Sequence, residues 1–395
     1  MLLFFAPGCR DAESELINKA ARIHAAVLTV DTHCDTPMNL LRQGFDLGMR
    51  QDNICVDFPK MKEGGLDAEF FAVFIEQGPR DSSSYLKAHE KALAIFKAIH
   101  SNVEKNFSMA EIALTADDAY RIEKTGKIAA FIGVENGYPI GKDLSKIKQY
   151  YELGARYITL CHSKNNDICD SSTDMTGPEQ NGLSPLGEEV VREMNRLGMM
   201  VDVSHISDEA FYDVLKVTSV PVIASHSSCR AICENPRNMS DDMLIALKQN
   251  GGVIQICLLS NYLKSPEPNP ELDSALNEVR MKYRDMYPGS MDREKHKQMR
   301  DELRAVKKKY EKLATVKDAV DHIDHIVQVI GIDYVGIGSD FDGGGGINGC
   351  RNVSEMKNIT VELVRRGYTR KDIEKIWGGN VMRVLRAAEE FAGKK

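Results

Sequence analysis

Seven residues that can bind a metal ion stand at or just after short apolar runs of this sequence. His33 and Asp35 are two residues apart, so on a strand their side chains point to the same side. Histidine and carboxylate ligands without a thiolate suit Zn²⁺ or a similar divalent ion at an open, catalytic site. The other five residues each follow an apolar run of their own: Glu135, His162, His205, His226 and Asp340.

Each of these residues alone has a purely structural explanation. A lone histidine at a strand end is most often a hydrogen-bonded packing residue, and Asp340 would serve as a turn residue. Glu135 would serve as a carboxylate at a helix N-terminus, and the serines before two of the histidines, Ser204 and Ser225, as turn residues. Four histidines and three carboxylates together are costly to gather unless charges are paired or metals are bound. The pattern therefore favours a metal centre, in which two ions bridged by one carboxylate would use five of the seven residues.

The apolar runs occur eight times, and amphipathic helical stretches lie between them. Runs that are apolar on both faces and alternate with helices predict a buried parallel sheet. Eight such units predict a closed (β/α)8 barrel of the TIM type, whose strand ends open onto one face. The predicted strands are Val27–Val30, Glu69–Ile75, Ile128–Val134, Tyr157–Leu160, Met199–Val203, Val220–Ala224, Gly252–Leu258 and Tyr334–Ile337. The predicted helices include Leu144–Leu153, Pro185–Leu197, Asp208–Val217 and Asp241–Gln249.

Length and composition agree with one large barrel, which we place over residues 24–392. The 395 residues exceed the ~250 residues usual for such a barrel, which leaves room for insertions. A net charge of −7 argues against a nucleic-acid partner. No apolar run approaches the ~20 residues that a membrane span needs. Nine cysteines without a CxxC pair argue against a zinc ribbon or a small disulfide scaffold.

Two segments depart from the barrel pattern. Residues 265–315 open with three prolines and are rich in charge, which predicts an inserted helical hairpin with a solvated helix over Met291–Lys312. A lid or partner-binding role is the alternative for this insertion. Residues 1–23 contain a short apolar run ending at Cys9, which resembles the end of a bacterial lipoprotein signal without its basic region. Localisation therefore stays open between an exported or lipid-anchored protein and a cytoplasmic one.

Six segments, in order, resemble the membrane (renal) dipeptidase family, peptidase family M19, and we expect a bacterial member. The resemblance covers roughly residues 24–390, apart from the charged insertion. The segments are DTHCD at 31–35, Glu135, Thr159-Leu160-Cys161-His162, Asp202-Val203-Ser204-His205, Ala224-Ser225-His226-Ser227-Ser228 and Gly338-Ser339-Asp340-Phe341-Asp342-Gly343.

The resemblance implies a dipeptidase with two Zn²⁺ per chain. His33 and Asp35 would bind one ion, and His205 and His226 the other. Glu135 would bridge the two ions and so take part in catalysis. A hydroxide that bridges two divalent ions is a nucleophile at neutral pH, and a metal polarises the scissile carbonyl.

The resemblance also implies the residues that contact the substrate, a dipeptide that can carry a D-residue at its C-terminal position. His162 would contact the substrate and stabilise the tetrahedral oxyanion. Arg237 would hold the C-terminal carboxylate, because a guanidinium offers two parallel hydrogen bonds. Asp340 would hold the amino group or pass a proton to the leaving amine. Recognition of both termini would exclude longer peptides.

The sequence departs from the family at one substrate contact. Mammalian members carry an aromatic-tyrosine pair near the end of strand seven, where this chain has Leu258-Leu259, although Tyr262 lies close by. The chain ends Gly393-Lys394-Lys395 without an apolar tail, so a C-terminal lipid anchor is not expected. The family leads us to expect a homodimer.

Two other functions stay open at this stage. One is a two-metal amidohydrolase of the same fold that acts on N-acyl amino acids or β-lactam-like amides. The other is a non-catalytic metal-binding protein, against which the presence of His162 and Asp340 argues, because a metal holder needs neither.

Overall fold

The computed structural model describes residues 7–265, 267–287 and 291–393. In this part of the chain, eight strands lie side by side around a nearly closed barrel, and every neighbouring pair is parallel. The short ninth strand, β3, pairs only with the first residues of β4. The strands are β1 (Val30–Cys34), β2 (Ala68–Phe74), β3 (Ala110–Ile112), β4 (Ile128–Glu135), β5 (Ala155–Thr159), β6 (Met200–Asp202), β7 (Ile223–Ser227), β8 (Val253–Ile256) and β9 (Val335–Ile337).

The barrel closes between β9 and β1 through the last residues of β1, the residue that follows it and the segment after β9. The Asp340 N–H donates to the His33 carbonyl at 3.0 Å, and the Asp35 N–H donates to the Phe341 carbonyl at 2.8 Å. Cys34 and Phe341 form an isolated parallel bridge at the same point. The closure therefore brings the segment after β9 against the segment after β1, at the carboxyl end of both strands.

Helices alternate with the barrel strands, so the predicted (β/α)8 fold is confirmed. Capping residues set the ends of several helices: the Ser184 hydroxyl accepts the Gly187 N–H at the start of one, and left-handed Gly198 ends it. The helices are α1 (Pro7–His24), α2 (Phe58–Gly64), α3 (Ser82–Lys105), α4 (Ala116–Glu123), α5 (Ser145–Glu152), α6 (Pro185–Leu197), α7 (Asp208–Val217), α8 (Asp241–Asn250), α9 (Ser260–Leu263), α10 (Pro270–Met286), α11 (Arg293–Tyr310), α12 (Val316–Val329), α13 (Lys357–Arg365), α14 (Arg370–Glu374) and α15 (Asn380–Gly393). None of the helices in the described residues combines the length and the apolar composition that a bilayer crossing needs.

Three aromatic side chains from the interiors of β2, β4 and β5 pack against one another. Phe70 stacks on Phe131 with 4.6 Å between ring centroids, and on Tyr157 with 5.6 Å. Stacked pairs of this kind contribute ~0.5–1.5 kcal/mol beyond the area they bury. Gly133 leaves room for the tyrosine, because a Cβ there would lie 2.0 Å from the Tyr157 ring. This packing fixes the position of the Tyr157 hydroxyl.

Two strands begin later than their apolar runs predict. The runs Val27–Val30 and Val220–Ala224 predict strands that start three residues before the observed starts of β1 and β7. Both strands continue into polar residues, whose buried side chains find partners: the Thr32 hydroxyl donates to the Ser225 carbonyl at 2.6 Å. The prediction also missed β3, because its three residues form no apolar run. As a result, His33 and His226 lie within strands and not after them.

The charged insertion contains the antiparallel pair α10 and α11, which precedes the helix α12 that leads to β9. The buried residues of α10 are Leu276, Val279 and Tyr283. An ion pair between Lys282 and Glu302, at 2.8 Å, joins the two helices. The boundaries 24–392 and 265–315 stay predictions. The expectation about Cys9 rests on a run whose first six residues lie outside the described residues.

Candidate metal centre

The carboxyl ends of six barrel strands bring the seven residues of the predicted centre to one side of the barrel. His33 and His226 belong to β1 and β7, and Glu135 is the last residue of β4. The other four follow the ends of strands β1, β5, β6 and β9: Asp35, His162, His205 and Asp340.

Glu135 lies at the centre of the histidines. Its Oε1 is 3.1 Å from His205 Nε2 and 3.6 Å from His226 Nε2. Its other oxygen, Oε2, is 3.4 Å from His33 Nε2. His162 Nε2 lies 3.5 Å from Oε1. The two oxygens of one carboxylate therefore face different histidines.

Asp35 and Asp340 converge next to His33. Asp35 Oδ2 lies 3.8 Å from His33 Nε2. A Cβ on Gly343 would lie 2.0 Å from Asp35 Oδ2 and 2.2 Å from Asp340 Oδ1, so only glycine fits between the two carboxylates. In three overlapping groups, donor atoms lie within 4.8 Å of one another: His33, Glu135 and His226; Glu135, His162 and His205; and His33, Asp35 and Asp340.

Three residues that follow barrel strands have a left-handed backbone. The φ angles are 79° at Asn136, 71° at His205 and 59° at Asp340. Such a conformation of a non-glycine residue costs roughly 1–3 kcal/mol, and it recurs at functional sites. Loops next to the site hold it in place, since the Gly345 N–H donates to the Asp340 carbonyl at 2.7 Å and the Ser172 N–H to the His205 carbonyl at 2.8 Å.

Burial keeps three of the histidines neutral. It holds the pKa of His205 and of His226 well below the usual range, and the Arg237 charge lowers both further. Burial also lowers the pKa of His162. The neutral imidazole is the form that binds a metal ion.

The three carboxylates are crowded, and their pKa values are shifted in opposite directions. Burial, with the charge of Glu135, raises the pKa of Asp35 to about 6. Burial and the charge of Asp35 raise the pKa of Asp340 well above its usual range. Burial also raises the pKa of Glu135, but His33 and His205 outweigh it and hold that pKa well below the usual range. A bound cation would relieve the repulsion among the three carboxylates.

The residues present fit a metal centre. Three buried atoms have no hydrogen-bond partner among the described residues: His33 Nε2, Asp35 Oδ1 and Glu135 Oε2. His205 Nε2 and His226 Nε2 lie 2.8 Å apart, which is a hydrogen bond if one ring carries its proton on Nε2 and a repulsion of two lone pairs if neither does. Buried polar atoms without partners are costly, and a cation bound between them would accept the lone pairs of these oxygens and unprotonated ring nitrogens.

Arg237 lies beside the histidines with part of its guanidinium unused. Its Nη2 donates to the His226 carbonyl at 3.0 Å, whereas its buried Nε has no hydrogen-bond partner in the part of the chain that the structure describes. The guanidinium lies 5.4 Å from the ring centroid of Tyr262, the residue close to the leucine pair that departs from the family. Of the pair itself, Leu258 is fully buried and donates its N–H to the Ser339 carbonyl at 3.2 Å.

The sequence indicated no functional role for three residues next to the predicted ligands. Two of them contact a ligand histidine, and the third holds one of those two in place. Tyr157 OH lies 2.9 Å from His33 Nδ1, and Ser225 Oγ lies 2.8 Å from His226 Nδ1. Asp202 accepts the Ser225 hydroxyl at 2.6 Å. Tyr157 and Ser225 lie inside predicted or observed strands, where the sequence pattern indicates only packing or a turn. A hydroxyl directly before a strand-end histidine is the one pattern that could have pointed to Ser225.

A family described as membrane dipeptidase (peptidase family M19) matches residues 17–395. The chain belongs to this family. A fungal relative, dipeptidase tcpJ of Claviceps purpurea, is 35% identical over 346 residues, which cover 86% of this chain and 71% of the relative. Dipeptidase verJ of Clonostachys rogersoniana is 31% identical and covers 96% of this chain and 88% of its own. The mammalian dipeptidase 3 of Macaca fascicularis is 31% identical, over 91% of this chain and 65% of the relative.

Solved structures agree with this membership in M19. A crystal structure described as the "probable dipeptidase PvdM from Pseudomonas aeruginosa" has a TM-score of 0.84 and 30% identity, and it covers 96% of this chain and 100% of its own. An M19 metallo peptidase named dipeptidase AC shares the fold at a TM-score of 0.73 and 21% identity. The resemblance to M19 is thus confirmed, and the chain is a hydrolase of the metallo-dipeptidase type.

Proposed function

We propose that this M19 member is a zinc dipeptidase that holds two Zn²⁺ per chain. The observation that carries the proposal is the position of Glu135, whose Oε1 faces His205 and His226 while its Oε2 faces His33. A carboxylate with each oxygen directed to a different set of imidazoles is suited to bridge two ions.

The donor set supports a division of the ligands between two ions. His33 and Asp35 would hold one Zn²⁺, and His205 and His226 the other, with Glu135 shared. Imidazole and carboxylate donors, without thiolate, suit Zn²⁺ at a catalytic site. When bound, such ions lower the pKa of water and polarise a carbonyl group.

Three further residues would act on the substrate. Arg237 would bind the C-terminal carboxylate through the part of its guanidinium that has no protein partner. Asp340, whose pKa burial raises, would take up a proton and pass it to the leaving amine nitrogen, or hold the substrate amino group. His162, the most exposed of the four histidines with 26% of its side chain accessible, would donate a hydrogen bond to the carbonyl oxygen.

The substrate includes, we propose, dipeptides with a D-residue at the C-terminal position. A structural relative with 21% identity, from Rhodobacter sphaeroides, is described as liganded with a phosphinate mimic of the dipeptide L-Ala-D-Ala. That likeness concerns the fold. A carboxylate anchor such as Arg237 recognises the terminal group whatever the configuration at the neighbouring carbon. A homodimer, expected from the family, stays a prediction.

A substrate panel tests the proposed reaction. L,L and L,D dipeptides, N-acetylated amino acids of the same side chains and a tripeptide are incubated with the Zn²⁺-loaded chain, and free amino acids are quantified. We expect release from the dipeptides only, abolished by chelation and restored by Zn²⁺. Hydrolysis of the N-acyl amino acids with no turnover of dipeptides would contradict the proposal in favour of an amidohydrolase.

A further inference from the structure

Two buried hydroxyl groups stand behind two of the proposed metal ligands. The Tyr157 hydroxyl is 2.9 Å from His33 Nδ1, and the Ser225 hydroxyl is 2.8 Å from His226 Nδ1. All four residues are at most 1% exposed. In both histidines, the opposite ring nitrogen, Nε2, faces Glu135.

The hydrogen bonds of Tyr157 fix which nitrogen of His33 carries the proton. The phenol has one proton, and it is donated to the Thr32 carbonyl at 3.1 Å. The phenol oxygen must therefore accept the proton of His33 Nδ1, so the neutral form of the ring, which is the form that binds a metal ion, has its lone pair on Nε2. The Tyr157 ring cannot easily move away from His33, because it is stacked on Phe70 and fits against Gly133.

Ser225 contacts Nδ1 of His226 as Tyr157 contacts Nδ1 of His33, but its own proton goes to a carboxylate and not to a backbone carbonyl. Its hydroxyl donates to Asp202 Oδ2 at 2.6 Å, so its oxygen accepts the Nδ1 proton of His226. The Asp202 carboxylate also accepts the hydroxyl of Thr159 and the backbone N–H groups of Ser204 and Ser225. These donors hold Asp202 and hence Ser225 in one orientation.

We propose that Tyr157 and Ser225 are positioning residues that fix His33 and His226 in the tautomer whose Nε2 lone pair is free for a metal ion. The inference rests on the proposed two-zinc site. Outer partners of this kind orient the ligand and raise its basicity. His205 differs, since its buried Nδ1 has no hydrogen-bond partner in the described ranges.

Thr159 provides a matched control for Ser225. Both hydroxyls donate to the same oxygen, Asp202 Oδ2, but only Ser225 contacts a proposed ligand. Ser225→Ala and Thr159→Val each remove one donor from Asp202, so a purely structural role predicts equal effects of the two. Tyr157→Phe removes the hydroxyl and leaves the stacked ring.

Metal affinity, measured without substrate, tests the inference. Metal-free wild-type chain and the three variants are titrated with Zn²⁺ against a chromogenic chelator, and thermal unfolding verifies that each is folded. We expect Ser225→Ala and Tyr157→Phe to weaken Zn²⁺ binding ~10–100-fold, as the loss of outer partners does at other sites, and Thr159→Val to leave it unchanged. In ¹⁵N spectra of the Zn²⁺-loaded wild type, His33 and His226 should carry their protons on Nδ1.

Two outcomes would overturn the inference, and they are distinguishable. If the wild type binds Zn²⁺ and Ser225→Ala binds it as tightly as Thr159→Val, the positioning role is wrong and the metal centre stands. If the folded wild type binds no Zn²⁺ at all, the proposed metal centre fails and the inference fails with it.

Discussion

Ionisable residues are concentrated at the barrel mouth, by which we mean the carboxyl ends of the barrel strands with the seven ligand-type residues, and in the helical hairpin α10–α11. The residues at the mouth are mostly buried, whereas those of the hairpin are mostly exposed. At the mouth, seven ligand-type side chains converge, and His33, Glu135 and His226 are at most 2% exposed. In the hairpin, α11 has no buried residue among those whose burial is described, and the charges of the two helices face water or pair between them, as Lys282 of α10 and Glu302 of α11 do.

The difference shows which charged groups need a partner. A buried group needs one to compensate for its lost hydration, and an exposed group does not. Exposed ion pairs contribute only ~0–1 kcal/mol, because water solvates each group almost as well. Buried His33 Nε2 and Glu135 Oε2 have no hydrogen-bond partner among the described residues, and their contact with each other at 3.4 Å compensates their desolvation only in part. We therefore expect substitutions at the mouth to change metal binding and turnover, and substitutions in the hairpin to change neither.

The largest effect is expected for Glu135→Gln. The amide is neutral and puts an N–H₂ group where an oxygen now faces His33 or His205, so one ion loses this ligand and the other keeps only an uncharged oxygen. Zn²⁺ affinity should fall by more than the ~10–100-fold typical of an outer partner. Measured by metal analysis after dialysis, a variant that retains the wild-type metal content would contradict a bridging role.

Asp340→Asn should separate metal binding from turnover. The variant keeps the shape of the side chain but cannot take up a proton, so kcat should fall by roughly 10²–10⁴-fold. Zn²⁺ content should stay at the wild-type level, because Asp340 is not among the proposed ligands. Dipeptide hydrolysis and metal analysis of the same preparation test this, and an unchanged kcat would refute the proton role.

Arg237→Lys should weaken substrate binding. A lysine keeps the charge but loses the planar pair of donors, and hydrogen bonds to charged groups contribute ~1.5–3 kcal/mol. KM for dipeptides should therefore rise ~10–100-fold with Zn²⁺ affinity unchanged. An equal rise for a dipeptide amide, which lacks the carboxylate, would show that Arg237 does not bind that group.

Zn²⁺ affinity should fall in acid. Burial and Glu135 raise the pKa of Asp35 to about 6, so below that pH an ion must displace a proton from this carboxylate. From Asp35 alone the affinity should be constant above pH 6 and fall by up to about tenfold per pH unit below it. Chelator competition at several pH values, with Asp35→Asn as control, measures the slope. A slope that begins only near the ordinary aspartate pKa would contradict the shift.

The smallest effect is expected in the hairpin. Lys282→Ala breaks the pair with Glu302, and Lys297→Ala on α11 removes an exposed lysine that has no ion-pair partner among the described residues. The free energy of unfolding should change by at most about 1 kcal/mol for the first and less for the second, with kcat/KM unchanged in both. A clear loss of turnover would favour the alternative role of the insertion as a lid.

The sequence predicted the architecture because a buried parallel barrel leaves a strong pattern. Strands covered on both faces must be apolar, so runs such as Ile128–Val134 are visible without a structure. The pattern weakens where barrel strands carry polar side chains: β1 and β7 extend through His33 and His226, and the apolar runs end before them. Short β3 leaves no pattern at all.

The sequence predicted the metal-ligand residues, but it did not predict the residues that hydrogen-bond to them. His33 and Asp35 are recognisable because their spacing is local, and Glu135 because it ends an apolar run. Tyr157 is 124 residues from His33 in the chain and meets it only through the closed barrel, so no spacing rule relates the two. Ser225 precedes His226 directly, yet its role depends on Asp202 of the neighbouring strand.

The most direct test of the account is turnover as a function of bound metal. Metal-free chain is titrated with Zn²⁺, and dipeptide hydrolysis and bound metal are measured at each addition. For a two-zinc dipeptidase we expect no hydrolysis without metal and a rate that rises until two ions are bound per chain, with Glu135→Gln showing neither tight binding nor turnover. Full hydrolysis by metal-free chain, or full hydrolysis by a folded Glu135→Gln variant, would contradict it.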